Sequence, residues 1–205
     1  MISLFRFLEA NDGKIKIDGL DISKIGLRAL RRSLLIIPQQ PVLFSGSIRY
    51  NLDPFDEFED YEIWNALERV HMKEKIQQLQ LSHLVTENGS NFSIGERQLL
   101  SLSRCILRKA KIIIFDESTA YVDHNSDALV QNVIREEFKD STIITVAHRL
   151  DTIIDSDCIV FMKEGQIVET GSPKQLLLEE STQFSMLVRE TGKQYSDHLR
   201  KQAFK

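Results

Sequence analysis

An α/β fold with a mainly parallel sheet core, a helical subdomain and some antiparallel strand is predicted by three observations. Two apolar runs, Lys111–Phe115 and Thr142–Val146, are separated by a helical pattern from about Ser126 to Phe138, a connection long enough for a parallel crossover. A third run, Leu34–Ile37, is wholly apolar, is stopped by Pro38 and reads as a buried strand leading into Gln39. Between these regions lies an acidic stretch, about 56–85, in which Ile63, Leu67 and Val70 recur at helical spacing beside Trp64. With the helix that follows, it makes a helical subdomain of about residues 50–108 within a single domain of residues 1–191.

Taken in order, Ile2, Leu4, Phe5 and Leu8 have helical spacing, although no capping residue precedes them. Asn11-Asp12-Gly13 signals a turn, and Lys14 to Asp18 alternates as a half-buried antiparallel strand does. Ser23 is a candidate cap for a short helix through Leu27 and Leu30, and Asp60 for the helix of the acidic stretch. Leu99, Leu102 and Ile106 share one face of a helix opening near Ser93. Cys158–Met162 and Gln166–Glu169 flank Lys163-Glu164-Gly165 as a hairpin, and Ser172-Pro173 starts a helix with proline at its tolerated first position. Residues 192–205 read as a polar C-terminal tail.

Composition narrows the function. The net charge of −4 over 205 residues offers no basic field for nucleic acid. Cys105 and Cys158 form no C-x-x-C pair and read as reduced thiols. No apolar run approaches the ~20 residues that span a bilayer, and Met1–Leu8, interrupted by Arg6, has no signal-peptide profile.

Two segments carry chemistry. Lys111–Phe115 delivers Asp116 and Glu117 to a strand end, and adjacent carboxylates there need a reason, because buried parallel strands are apolar. Mg²⁺ takes oxygen ligands and often only one or two carboxylates, which suits Asp116; Glu117, on the other side of the strand, can orient or deprotonate an attacking water. A strand end turning into solvent explains two acids equally well when they are taken alone. Ser93-Ile94-Gly95-Glu96 opens a helix whose free N–H groups favour an anion, with Gly95 allowing close backbone approach. Ser93-x-x-Glu96 is also a capping box, reason enough for the acid. A carboxylate about 6 Å from a phosphate charge costs roughly 3 kcal/mol at an effective dielectric of about 20. The same box stabilises its helix by around 1 kcal/mol.

Ser93-Ile94-Gly95-Glu96-Arg97-Gln98 and Lys111 to Glu117 resemble the signature loop and Walker B strand of ATP-binding cassette (ABC) ATPases, a P-loop NTPase fold. Ile36 to Arg49, with Pro38-Gln39-Gln40-Pro41 at its start, and Asn51-Leu52-Asp53-Pro54-Phe55 resemble the second nucleotide-binding domain of multidrug-resistance-associated exporters. The resemblance runs from Ile2 to about Leu187. It implies ATP and Mg²⁺ as cofactors, with Asp116 and Gln39 at the metal, Glu117 at the water and His148 at the γ-phosphate. It further implies that Ser93, Ile94, Gly95, Glu96 and Asp123 face a nucleotide bound to a second nucleotide-binding domain in a head-to-tail sandwich. Transmembrane domains would be the other partner, the cytoplasmic face of a membrane the location, and organic anions, conjugates or drugs the cargo. Glu96 stands where the family has glutamine, which predicts a weakened sandwich that Glu96→Gln tightens. No G-x-x-x-x-G-K-[S/T] occurs in the 205 residues. Aligned with the family, residue 1 falls just after that loop, so an N-terminally truncated domain, unable to hydrolyse ATP alone, is expected. A non-catalytic partner module and a soluble non-transport ABC ATPase are the alternatives.

Overall fold

The computed structural model describes residues 2–38, 41–116, 124–147 and 149–204, with the backbone alone for 124–127. It falls into two units, Met1–Val146 and Ala147–Lys205.

In the first unit, residues 2–6 form turns where helical spacing predicts a helix. Without a cap, only Phe5 is buried, against Ile22, Leu30, Leu34 and Ile114. Arg6 secures the turn, its Nη1 donating to the carbonyls of Ile22 (3.1 Å) and Ile25 (2.8 Å). Strands β1 (Lys16–Ile17) and β2 (Leu20–Asp21) pair antiparallel around Asp18 and Gly19, with φ of 50° and 79°. Two consecutive left-handed residues match the right-handed twist of the flanking strands. Asp21 caps the following 3-10 turn, Ile22–Lys24, accepting the Ser23 N–H at 3.0 Å, whereas the helix through Leu27 starts after Gly26 and not at the expected Ser23, with no side-chain cap. Helix α1 (Leu27–Ser33) leads directly into β3 (Leu34–Ile37).

The helical part comprises β4 (Gly46–Ser47), α2 (Ile48–Leu52), α3 (Asp60–Arg69), α4 (Lys73–Leu79) and β5 (Leu84–Val85), with β4 and β5 antiparallel. The cap of α3 lies one residue before the expected Asp60: the Glu59 N–H donates to Glu62 Oε2 at 3.0 Å. Asp60 instead pairs with Arg49 at 2.5 Å. Helix α5 (Ile94–Leu107) buries Leu99, Leu102, Cys105 and Ile106 in the largest core cluster, alongside Ile63, Leu67, Ile113 and Phe115. Burial pushes the Cys105 thiol up to about 12, whereas Cys158 in the second unit is exposed.

Strands β6 (Ile112–Asp116) and β7 (Thr142–Val146), joined by α6 (His124–Glu137), complete a parallel sheet of order β3-β6-β7. Its register matches Ile37 with Phe115 and Asp116 with Val146, so all three strands end at the same edge. Ile113 and Ile114 in the middle strand are fully buried. Strand β7 has no second neighbour among the described residues, and all five of its residues are exposed, including Ile143, Ile144 and Val146.

The second unit starts with a 3-10 turn, Leu150–Thr152, followed by the hairpin β8 (Ile159–Lys163) and β9 (Gln166–Gly171). Glu164 and Gly165, at φ 52° and 78°, make its tight turn. Helix α7 (Pro173–Leu178) is capped by Ser172 and Gln175, each bonding the other's N–H. Helices α8 (Gln183–Glu190) and α9 (Lys193–Ala203) close the unit around Ile154, Ile159, Leu176, Phe184, Val188 and Leu199. Residues 193–203, polar in composition, are thus an ordered helix, because one fully buried leucine, Leu199, and buried Ser196 suffice to dock it.

Candidate functional site

The opening of α5 is built by the sequence pair Ser93 and Glu96. Ser93 is extended (φ −63°, ψ 164°), and its Oγ accepts the Glu96 N–H at 3.2 Å. Glu96 folds back so that Oε2 accepts the Ser93 N–H at 2.9 Å, which completes the expected capping box. Its other oxygen, Oε1, takes Lys75 Nζ of α4 at 2.5 Å. Lys75 also lies over the Phe92 ring, 5.5 Å from its centroid. Burial pushes the Glu96 carboxyl up, but Lys75 and the Ser93 N–H outweigh it and hold the group below its ordinary value. The N–H groups of Ile94 and Gly95, in the first turn and beyond the reach of intrahelical acceptors, find no other acceptor among the described residues.

The loop before Ser93 is tightly knit. Asn91 Oδ1 accepts the Thr86 N–H (3.1 Å), and its Nδ2 donates to Leu84 O (3.0 Å). Gly89 has φ +68°, and a Cβ there would stand 3.0 Å from Leu43 and from Arg97 Cδ, so both conformation and space require glycine. Arg97 Nη1 donates to Asn88 O at 2.8 Å, fastening the loop to α5.

At the sheet edge, Asp116 ends β6 half-buried, and its carboxylate makes no hydrogen bond or ion pair with another described residue. A lone carboxylate of this kind fits a hard cation that keeps water and phosphate among its ligands. Gln39, Glu117, Asp123 and His148 lie outside the described residues. The described residues therefore unite Ser93, Ile94, Gly95 and Glu96, and leave Asp116 apart on its own strand end.

Two features of this region escape sequence reading. Lys75 reaches Glu96 from another helix, with no periodic relation to it. Arg104, at the far end of α5, is half-buried without a carboxylate partner among the described residues: its Nε donates to Asn51 O (2.6 Å), its Nη2 to Asn51 Oδ1 (3.0 Å) and its Nη1 to Val42 O (3.2 Å). Burial lowers its pKa to about 10. Asn51 in turn accepts the Phe44 N–H and donates to the carbonyls of Phe44 and Ser47. Helix α5 is thereby bolted to the segment that follows Gln39. The only available signal for this was an arginine on the apolar side of an amphipathic pattern.

A family model described as ABC transporter matches residues 1–120. The chain belongs to the ABC transporter family. It is 52% identical over 197 residues to ATP-binding cassette sub-family C member 2 of Rattus norvegicus, covering 95% of this chain and 13% of that protein. It is 49% identical over 205 residues to ABC transporter C family member 12 of Dictyostelium discoideum, covering 99% of this chain and 16% of that protein. This chain therefore spans a small part of these relatives, with a sequence of the multidrug-resistance-associated type. The structure of a bacterial Atm1-family ABC exporter with ATP bound superimposes with a TM-score of 0.83 at 32% identity, over 94% of this chain and 34% of that one. The ABC ATPase fold expected from the sequence is thus the fold observed.

Proposed function

We propose that this ABC domain serves an exporter as part of its ATPase engine, coupling ATP binding and hydrolysis to the movement of organic anions, conjugates or drugs across a membrane. The observation that carries the reading is the parallel sheet, whose strands end together at Ile37, Asp116 and Val146. Open α/β sheets bind ligands beyond the carboxyl ends of their strands. Gln39, Glu117 and His148 follow those three ends by one or two residues in the sequence.

In this reading Asp116, with Gln39, holds Mg²⁺, and Glu117 orients or deprotonates the attacking water. His148 contacts the γ-phosphate. Mg²⁺, when bound, neutralises phosphate charge. Ile94 and Gly95 turn helix N–H groups, and Ser93 its hydroxyl, toward a nucleotide on a second nucleotide-binding domain, with Glu96 and Asp123 beside them. No described helix is long and apolar enough to cross a membrane. From the likeness to exporters, transmembrane domains are the proposed route for cargo and the cytoplasmic face of a membrane the proposed location. The sequence contains no G-x-x-x-x-G-K-[S/T], so its residues fit the metal-and-water half of a site and the cross-domain clamp, not a cradle for the nucleotide's own triphosphate.

The test uses Glu117→Gln in a complete exporter polypeptide carrying this domain. Hydrolysis at its sites should fall by about 10²-fold or more, as for a lost general base, while ATP binding persists. The 205-residue chain alone should show no turnover above background; turnover that disappears in Glu117→Gln would overturn that expectation.

A further inference from the structure

Lys75 of α4 grips both sides of the opening of α5, and we propose that it is a positioning residue for the cross-domain clamp, cancelling the charge that Glu96 would otherwise present to a phosphate. This role rests on the reading, given above, that Ser93, Ile94 and Gly95 meet a nucleotide held by a second domain.

Lys75 is anchored through its own helix. The next residue, Ile76, is fully buried in the core cluster that also holds Leu81, Val85, Phe92 and Leu99. The Gln80 N–H closes the end of α4 on Ile76 O at 2.7 Å. From that base the ammonium reaches Glu96 Oε1 at 2.5 Å and lies 5.5 Å from the centroid of the Phe92 ring. Phe92 is itself buried, and its N–H donates to Gly89 O at 2.9 Å. Phe92 precedes the capping serine and Glu96 follows it by three residues, so one cation ties the two sides of Ser93 together.

The polar groups are thereby sorted. Both carboxylate oxygens of Glu96 are engaged, Oε1 by Lys75 and Oε2 by the Ser93 N–H. Ser93 Oγ accepts the Glu96 N–H, and its own proton is left to donate outward. An anion approaching the helix meets that hydroxyl and the N–H groups of Ile94 and Gly95, while Glu96 and Lys75 together carry no net charge. The glutamine expected at this place would be neutral without a partner; a glutamate is neutralised only if a cation is held against it. Removing the ammonium would leave a like charge beside the phosphate, which weakens association.

The experiment uses the complete exporter polypeptide carrying this domain. Closure of its two nucleotide-binding domains is followed by energy transfer between labels as β,γ-imido-ATP with Mg²⁺ is titrated in. Lys75→Met keeps an apolar stem over Phe92 and removes the charge, and should raise the half-closing concentration about tenfold. Lys75→Arg keeps the charge and should stay within about twofold of the wild type. Placed in Glu96→Gln, the same Lys75→Met change should cost about threefold or less, because no carboxylate remains to be cancelled. Equal losses in the two backgrounds, or unchanged closure in Lys75→Met, would overturn the proposal. Gly95→Asp, which sets a carboxylate on the phosphate-facing turn, is the reference. Unaltered closure there sinks the reading of the helix opening, whereas lost closure there with intact closure in Lys75→Met sinks the role of Lys75 alone.

Discussion

Glu96 is held by groups of two kinds, a backbone N–H of its own helix and the ammonium of Lys75 on a neighbouring one. The helix contact was legible because Ser93 and Glu96 are three residues apart in the sequence. The Lys75 contact was not, because it depends on how α4 packs beside α5. The difference changes the electrostatics: Lys75 at 2.5 Å compensates much of the repulsion that a bare carboxylate would exert on a phosphate. Glu96→Gln should therefore tighten nucleotide-driven association by less than the roughly 3 kcal/mol of an uncompensated charge. The same pair makes stability depend on pH. With its folded pKa depressed, Glu96 contributes stability that is present above the ordinary glutamate pKa and is lost as pH falls through the lower folded value. Thermal melting followed from neutral to acid pH should show a steeper loss in the wild type than in Glu96→Gln; parallel profiles would refute this.

Among the elements, the apolar strands were the most legible. Leu34–Ile37 and Thr142–Val146 match the structure to the residue, since continuous runs with sharp borders leave little choice. The cap of α3 was displaced by one residue, to Glu59, because neighbouring acids compete for the same N–H groups, and the helix expected to open at Ser23 starts instead after Gly26, which offers no side chain. Val85, read as the end of a helical stretch, lies in β5, where pairing with Gly46 overrides local pattern. The bolt between α5 and α2 was hidden because Asn51 shows nothing in sequence of its contacts with Phe44, Ser47 and Arg104. Removing its amide would strip partners from a half-buried arginine and three backbone groups, the N–H and C=O of Phe44 and the C=O of Ser47. Asn51→Ala should cost about 2–4 kcal/mol in urea unfolding, and Asn51→Asp, which keeps an acceptor beside Arg104, should cost less. Equal losses in the two variants would show that the arginine contact is unimportant.

Across the whole molecule, the parallel order of the sheet followed from the helical crossover, whereas α9 was invisible because its docking depends on one leucine in a polar run. Strand β7 is the conspicuous surface, since parallel strands are normally covered on both faces and this one is exposed at every residue. An apolar edge of this kind recruits other strands. Purified alone, the chain should self-associate, and Ile144→Lys should raise its monomer fraction in sedimentation; an unchanged distribution would place the sticky surface elsewhere. The two thiols add a readout for the units themselves. Cys105 is sealed in the first and Cys158 is open on the second. A brief alkylation pulse thus tags the native chain once, and a second mass increment appears only when the first unit opens. Mass spectra across a denaturant series would separate concerted from sequential melting without any engineered label.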